Sequence, residues 1–386
     1  MFILQKSNQA LQICLDDFFS HSEGCVTKSS FSQARKHLCY KVFKRLNLFI
    51  NNLFYQEASF KKWRGFRVLA IDGSTVKLPD HPSLYSRFSV HAFGAKRSVE
   101  HCMSRISLLY DVFNEVCLDA QMEAYDTSEA TLCKLHLPWM KMGDMVLFDR
   151  FYASTELMAL LQSKGVQYVL RMRKKSWKCV KEFLDSKEKE RIVQLPLNGK
   201  SKYLLKTKPN LKEGVTVRLI KSRGQDGEIR VFATSLLTDN YKASSIVSLY
   251  RQRWSVEEGY KLLKSRLELA RFSGKTVQAV QQDFYSKCFM LSLSAILRFK
   301  VRSPKVKKDK GSVSKRVRIH NKSYAINRCK IVIKQLYEGI IDIQSIVGEF
   351  IRYLADKIEY SRKGQHNKRK KNKGYAKQIS MSYKGV

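Results

Sequence analysis

Hydrophobic residues change their spacing several times along this chain, and each change predicts a different kind of secondary structure. Residues 1 to 62 interleave large apolar side chains with Lys and Arg, and no glycine or proline follows Gly24 there. This pattern favours helices. Beyond it, short runs of branched and apolar residues predict strands, namely Phe66 to Ile71, Arg105 to Val112, Val116 to Met122 and Asp144 to Phe148.

Helical patterns at Ser128 to Lys134 and Ser154 to Ser163 surround the last of these runs. The region therefore predicts an α/β fold, in which a mixed sheet is flanked by helices. From Ser245 the pattern returns to helix, with one long helix predicted through about Leu269 and another from Val277 to Phe299. Between these two regions, turns rich in Lys, Gly and Asp separate four further predicted strands: Val166 to Met172, Arg191 to Leu197, Val215 to Ile220 and Ile229 to Leu237.

The same changes divide the chain into five predicted segments. The last segment contains an apolar helix pair between Ala325 and Ile358 and two basic runs, Lys300 to Lys322 and Arg362 to Lys373. We interpret the basic runs as phosphate-binding rather than as merely solvated. The segments are a helical basic N-terminal module (1–62), the first part of the core (63–164), a β-rich insertion (165–243), the core helices (244–300) and a basic helical C-terminal segment with its tail (301–386).

The charge of the chain points to a polyanionic partner. Seventy-two Lys and Arg residues against 34 Asp and Glu residues give a formal net charge of +38. Such an excess costs stability through self-repulsion and is typical of proteins that bind nucleic acid or an anionic membrane. No apolar run reaches the roughly 18 to 20 residues of a spanning helix, and Met1 to Gln12 lacks the pattern of a signal peptide. The sequence therefore predicts a cytoplasmic, nucleic-acid-binding protein without a membrane partner.

The spacing of the cysteines argues against a zinc site. Nine of them are scattered along the chain without a Cys-x-x-Cys pair or a paired histidine spacing. Their odd number fits reduced thiols in a reducing compartment.

Two carboxylates follow strand-like runs. Asp72 comes directly after Val68 to Ile71 and precedes Gly73, which we expect to let the chain turn, and Asp149 comes directly after Met145 to Phe148. If the two strands are parallel neighbours, the carboxylates lie close together, where both charges are tolerable only with a cation between them. Taken singly, each Asp is more typical of a turn or of a helix cap.

A third carboxylate lies on a predicted helix. At about 100° per residue, Tyr250, Arg253, Glu257 and Lys264 fall within an arc of roughly 60° on one face. A carboxylate there can bind a metal ion, while the guanidinium and the ammonium group can hold phosphate oxygens. A solvated face with an Arg253–Glu257 ion pair remains the alternative interpretation.

The spacing Tyr-x2-Arg-x3-Glu-x6-Lys resembles the signature of DDE transposases of the insertion-sequence-four family. Asp-Gly-Ser at 72 and Asp-Arg-x-Tyr at 149 to 152 are similar to the first two acidic motifs of that family. The order of the motifs, their strand context and the β-rich insertion before the glutamate also agree. The resemblance covers roughly Phe66 to Leu297 and implies a ribonuclease-H-like catalytic core.

The resemblance also implies what the residues do. Asp72, Asp149 and Glu257 would be the catalytic metal ligands, and Tyr250, Arg253 and Lys264 would contact DNA phosphates. Mg²⁺ is the expected ion because the ligands are all oxygen, and Mn²⁺ is expected to substitute for it. Two such ions would activate a water or a 3′-hydroxyl and stabilise the leaving oxygen.

The expected partners are double-stranded DNA, as terminal inverted repeats and target DNA, and a second copy of the chain in a homodimer on that DNA. The expected location is the bacterial cytoplasm, in association with the nucleoid. A hairpin intermediate is implied by the resemblance alone. The hairpin-forming members of that family use a tryptophan of the insertion to stack on a flipped base. Trp177 is the one tryptophan between Asp149 and Gln252, and a packing residue is the more typical interpretation of it.

Two alternatives remain open. A ribonuclease-H-like, structure-specific DNA nuclease would use the same metal ions with water as its only nucleophile. A catalytically decayed copy would bind DNA without cutting it. All three carboxylates and the Tyr-Arg-Lys stripe are present, which favours a transposase that cuts the ends of an insertion sequence and joins them to target DNA.

Overall fold

The computed structural model divides into two compact units. One comprises Met1–Glu57, Thr75–Ser104 and Lys261–Val386, and the other comprises Ala58–Ser74 and Arg105–Tyr260. We call them the helical unit and the sheet unit. The structure describes residues 1–5, 10–20, 25–93, 99–174, 177–197, 199–203, 206, 214–224, 226–301, 316–339 and 342–362.

The secondary structure of the described residues alternates between helices and strands. The helices are α1 (Phe2–Gln5), α2 (Leu11–Phe18), α3 (Lys28–Lys36), α4 (Lys41–Glu57), α5 (Pro82–Phe88), α6 (Glu129–Leu135), α7 (Thr155–Ser163), α8 (Lys178–Asp185), α9 (Ala243–Tyr250), α10 (Ser255–Ser265), α11 (Val277–Phe299), α12 (Lys322–Tyr337) and α13 (Ile343–Ala355). The strands are β1 (Arg67–Lys77), β2 (Val90–Phe93), β3 (Val99–Asp111), β4 (Cys117–Ala124), β5 (Asp144–Phe148), β6 (Gln167–Arg171), β7 (Glu190–Pro196), β8 (Gly214–Arg223), β9 (Ile229–Thr234), β10 (Arg316–His320) and β11 (Ile358–Arg362).

The strands follow the order β3-β1-β5-β6-β9-β8-β7, and β3 also pairs with β4 and, at its start, with β2. β5 is parallel to β1, and β6 is parallel to β5. The amide of Val112 donates to the carbonyl of Val68, the amide of Leu78 donates to the carbonyl of Cys102, and the amide of Asp111 donates to the carbonyl of Val116, so β3 runs antiparallel to both β1 and β4. β1, β3 and β4 are thus antiparallel neighbours, and β5 and β6 run parallel to β1. This is the arrangement of a ribonuclease-H-like sheet. The predicted fold class is confirmed.

The register of β1 on β5 is fixed by packing and by one ion pair. All five residues of β5 are buried, as are the first five of β1, which is typical of parallel strands covered on both faces. At the first register position, the guanidinium of Arg67 forms two hydrogen bonds of 2.8 Å with the carboxylate of Asp144. Removing one partner of such a buried pair leaves an uncompensated charge.

The helical unit is organised around α11. Most of this helix is buried, and it packs against α4, α12 and α13. Its Asp283 forms a buried ion pair of 2.7 Å with Arg35 of α3. N-terminal and C-terminal segments thus share one core. Among the described residues, no helix combines the length and the apolar character that crossing a bilayer requires.

Several predicted elements match the structure closely. β5 and α11 have the predicted bounds, and the predicted N-terminal helices are present as α1 to α4. The single long helix from Ser245 to Leu269 is wrong, because a 3₁₀ turn at Arg251–Trp254 separates α9 from α10. Most of both basic runs, residues 302–315 and 363–373, lies outside the described residues.

The strands of the predicted insertion continue the sheet. β9 pairs with β6, β8 pairs with β9, and β7 pairs with β8, all antiparallel. The segment boundaries themselves stay predictions.

Candidate functional site

Asp72 lies inside β1 and not at its end. The strand continues through Gly73 to Lys77, and it is the buried part of β1 that ends at Ile71. The predicted sharp turn at Gly73 is therefore wrong. Gly73 instead lies close to Glu129, since an added Cβ would be 3.0 Å from side-chain atoms of Glu129. The amide of Gly73 donates to Oδ1 of Asp72 over 3.0 Å.

Asp149 does follow directly after β5, as predicted. It caps the 3₁₀ turn Arg150–Tyr152, and its Oδ1 accepts a hydrogen bond of 2.7 Å from the amide of Arg150. The register of the two strands pairs Ala70 with Leu147. Asp72 and Asp149 each lie two residues beyond this pair, and the charges of both act on the guanidinium of Arg253.

Glu257 lies in the first turn of α10, and Arg253 connects it to Asp72. The guanidinium of Arg253 donates to Oε1 of Glu257 over 2.7 Å and lies 3.6 Å from Oδ2 of Asp72. The three side chains are only partly exposed, at 12% for Arg253, 23% for Asp72 and 25% for Glu257. Arg253 is thus the positive charge that lies between two of the three predicted carboxylates.

Tyr250 approaches the same group from the end of α9. Its ring packs on Phe232 with centroids 4.8 Å apart. Burial raises the pKa of Tyr250 to about 12, and the charges of Arg253 and Asp149 also act on it. Three of the four residues that were predicted on one helix face therefore lie near the aspartates, namely Tyr250, Arg253 and Glu257.

The electrostatics of the site favour an added cation. The pKa of Asp72 is raised to about 6, mainly by burial, although Arg253 lowers it; Glu257 and Glu129 raise it further. Without further positive charge, ionised carboxylates at this separation repel each other.

Helix α10 is held against the sheet by two neighbours of Glu257. The Tyr260 hydroxyl donates to the main-chain carbonyl of Asp72 over 2.8 Å. A Cβ at Gly259 would lie 3.1 Å from the ring of Tyr110, which is tighter than an ordinary contact, so the glycine favours this close approach of the helix. These contacts fix the distance between Glu257 and β1.

Two residues near the carboxylates were missed by sequence reasoning. Glu129 borders Gly73 and lies 3.6 Å from Arg105. Tyr152 has a buried hydroxyl without a hydrogen-bond partner among the described residues. Its pKa is raised well above the ordinary value, first by burial and then by carboxylates that include Glu129, Asp72 and Asp149. Only the Asp-Arg-x-Tyr spacing signals Tyr152, and nothing in the sequence signals Glu129.

A basic, partly apolar cavity of about 450 Å³ adjoins Asp149 along the chain. Phe151 is 59% exposed at its edge, and the guanidinium groups of Arg150 and Arg173 lie 5.3 and 5.1 Å from the centre of its ring. Arg171, Lys174 and Arg230 also line the cavity, together with the single carboxylate of Glu228. Sequence reasoning overlooked Phe151 because an isolated exposed phenylalanine has no signature.

Trp177 and Lys264 stay predictions as site residues. Trp177 is half-buried and precedes α8, next to residues outside the described ranges. Lys264 lies on α10 in the same helix as Glu257, and the division between the two compact units falls before it. Glu258, which follows Glu257 on α10, is half-buried.

The donor set fits a divalent metal ion in its chemistry. Carboxylate oxygens are the ligands that Mg²⁺ and Mn²⁺ prefer, and the pKa of Asp72 is raised mainly by burial and further by the charges of Glu257 and Glu129. Within the described ranges, however, no three His, Cys, Asp or Glu side chains are gathered closely enough to hold a metal ion. Two of the carboxylates, Asp72 and Glu257, contact the guanidinium of Arg253 instead.

Comparison with known proteins gives consistent findings. The family model described as "Transposase DDE domain" matches residues 63–293. The transposase InsG for insertion sequence element IS4, from Escherichia coli (strain K12), is 22% identical over 286 residues, which are 70% of this chain and 61% of InsG. InsZ of the same organism is 28% identical over 103 residues, 27% of this chain and 34% of InsZ. The chain thus spans about a third to three fifths of these relatives.

A solved structure is also similar in outline. It is the piggyBac transposase synaptic complex with hairpin DNA, at 12% identity and a TM-score of 0.44, covering 91% of this chain and 73% of that one.

Proposed function

Because the chain belongs to the transposase DDE domain family, we propose that it is an insertion-sequence transposase that cuts element ends and joins them to target DNA. The observation that supports the proposal most is the position of Arg253, whose guanidinium lies next to Asp72 and Glu257 and on which the charge of Asp149 also acts. Two of these carboxylates come from adjacent parallel strands and the third comes from a helix held against the same sheet. Phosphoryl transfer needs such a rigid set of oxygen ligands.

Transposases of the DDE type use divalent metal ions, and we propose Mg²⁺ here, with Mn²⁺ able to substitute. Asp72, Asp149 and Glu257 would hold the ions. When bound, the ions would supply Lewis acidity at the scissile phosphate and lower the pKa of a bound nucleophile. For Asp72 and Glu257 to share an ion, the guanidinium of Arg253 has to move from between them.

Once displaced, Arg253 would bind a phosphate group of the DNA, and its position supports this role. A guanidinium displaced from Glu257 remains tethered next to the carboxylates, where its fork of N–H donors fits a phosphate group. Tyr250 adds a hydroxyl donor that stays protonated at neutral pH, because its pKa is about 12. Both side chains would orient the scissile phosphate, and Lys264 would hold a further phosphate of the bound end.

Phe151 supports a contact with an unpaired base more directly than Trp177 does. Its exposed ring lies two residues from Asp149 and close to two guanidinium groups, and bases stack on aromatic rings and on guanidinium planes. Trp177 retains the role implied by family resemblance, as a stacking residue during hairpin formation. The two assignments predict different losses: Phe151→Ala would weaken binding of unpaired bases, and Trp177→Ala would reduce hairpin formation.

The proposed substrate is double-stranded DNA with terminal inverted repeats, followed by target DNA. The formal charge of +38 supports this, because Lys and Arg contacts to phosphate release counterions. A homodimer is proposed on the bound DNA, since two ends have to be brought together for joining. We propose that the protein acts in the bacterial cytoplasm, in association with the nucleoid.

The test uses purified protein with a DNA fragment that carries the inverted repeats flanking its own gene. With Mg²⁺, wild type should nick the element ends and join them to a target plasmid. Glu257→Gln should bind the same fragment and leave it uncut, whereas its neighbour variant Glu258→Gln should retain most activity. Nicking without joining would favour a structure-specific nuclease, and binding without nicking by wild type would favour a decayed copy. Near wild-type nicking by Glu257→Gln would overturn the assignment of the site.

A further inference from the structure

A buried hydrogen-bond network of three polar side chains leads to the main-chain carbonyl of Asp72. The carboxylate of Asp119, on β4, lies 2.7 Å from Nδ1 of His136. Nε2 of His136 lies 3.0 Å from Oγ of Ser107, on β3. The Ser107 hydroxyl donates to the carbonyl oxygen of Asp72 over 3.3 Å. All four residues belong to the sheet unit.

The residue types of this hydrogen-bond network, Ser107, His136 and Asp119, are those of a nucleophilic triad. Their burial excludes that role. His136 is 0% exposed, Ser107 is 1% exposed and Asp119 is 4% exposed. No substrate reaches a hydroxyl that is buried in this way. Buried polar groups cost stability unless they are satisfied, so the network needs another reason to be there.

The geometry at Asp72 supplies that reason. Its carbonyl oxygen accepts from Ser107 and also from the Tyr260 hydroxyl, at 2.8 Å. The same peptide group carries the N–H of Gly73, which donates to Oδ1 of Asp72 over 3.0 Å. Since a peptide group is planar, holding its oxygen also aims its N–H. The two hydroxyl donors therefore set the direction of the hydrogen bond that orients the Asp72 carboxylate.

We infer that Ser107, backed by His136 and Asp119, is a positioning residue that holds the Asp72 carboxylate ready for a divalent metal ion. The side-chain amide of Gln121 donates to the Asp119 carboxylate over 2.6 Å, so the end of the network away from Asp72 is also fixed. Outer-shell partners of this kind typically change metal affinity by about 10- to 100-fold. The inference rests on the proposed metal-dependent function and concerns the same site.

The test measures Mn²⁺ affinity of the purified full chain without DNA, from the loss of the electron paramagnetic resonance signal of free Mn²⁺. Ser107→Ala should bind Mn²⁺ about tenfold more weakly than wild type. Tyr260→Phe removes the other donor to the same carbonyl and should change the affinity in the same direction. Thermal unfolding of each variant, followed in parallel, identifies any variant that does not fold.

Thr234→Val is the matched control. Thr234 is also 0% exposed, and its hydroxyl donates to the main-chain carbonyl of Tyr168 over 2.8 Å. The substitution should lower stability by a similar amount while leaving Mn²⁺ affinity as in wild type.

Wild-type Mn²⁺ affinity in folded Ser107→Ala would overturn the inference, and so would an equal loss of affinity in Thr234→Val. A wild-type protein that binds no Mn²⁺ would overturn it as well. If wild type binds Mn²⁺ but does not cut DNA, while Ser107→Ala binds more weakly, the proposed function fails and the positioning role stands.

Discussion

Asp72→Asn should stabilise the protein while abolishing its metal site. The pKa of Asp72 is raised from 3.8 to about 6, mainly by burial, with Glu257 and Glu129 adding to the effect against Arg253 and the Gly73 amide. A shift of about two units corresponds to about 3 kcal/mol at 1.36 kcal/mol per unit. Ionised Asp72 therefore lowers the free energy of unfolding by about 3 kcal/mol.

The sign follows from proton binding. Because the folded protein holds the Asp72 proton more tightly than the unfolded chain does, stability falls as the pH rises from 3.8 to about 6 and stays lowered above it. Asparagine keeps the shape and lacks the charge. The advantage of Asp72→Asn should thus be close to zero below pH 3.8 and reach about 3 kcal/mol above pH 6.

Urea unfolding of both proteins between pH 4 and pH 8 measures this difference. Asp126→Asn, which changes an exposed carboxylate in a turn, should show no such pH-dependent gain. Mn²⁺ at about 100 times its Kd should stabilise wild type by about 2.7 kcal/mol and leave Asp72→Asn nearly unchanged. A difference between Asp72→Asn and wild type that stays constant across the pH range would refute the reasoning.

Four further predictions concern DNA. Phe151→Ala should weaken binding of DNA with unpaired bases at its end more than binding of a fully paired duplex, as measured by gel shift; equal effects would exclude stacking. Trp177→Ala should leave first-strand nicking intact and reduce hairpin formation if that residue stacks on a flipped base, and loss of both steps would indicate misfolding. Removing the tail from Arg362 should lower the log–log salt slope of binding by about 0.9 per lost phosphate contact, and Lys264→Ala by about one such contact, with nicking retained.

The local elements of this fold are encoded in short stretches of sequence. β5 is an apolar run buried along its whole length, and α11 begins at a Thr276 cap, so both have the bounds that their patterns predict. The carboxylates could also be identified, since a strand-then-Asp pattern and a helical spacing around Glu257 are local features. What the sequence alone determined was which carboxylate and basic residues are candidates for the chemistry.

The tertiary structure decided how those residues meet. The 3₁₀ turn at Arg251–Trp254 was invisible to a helical count, yet Arg253 reaches both Asp72 and Glu257. Glu129, Tyr152 and Ser107 come from separate elements that only sheet pairing brings to Asp72. Periodicity reports which face of an element is apolar, whereas the neighbours of a side chain are set by register and by contacts far apart in sequence.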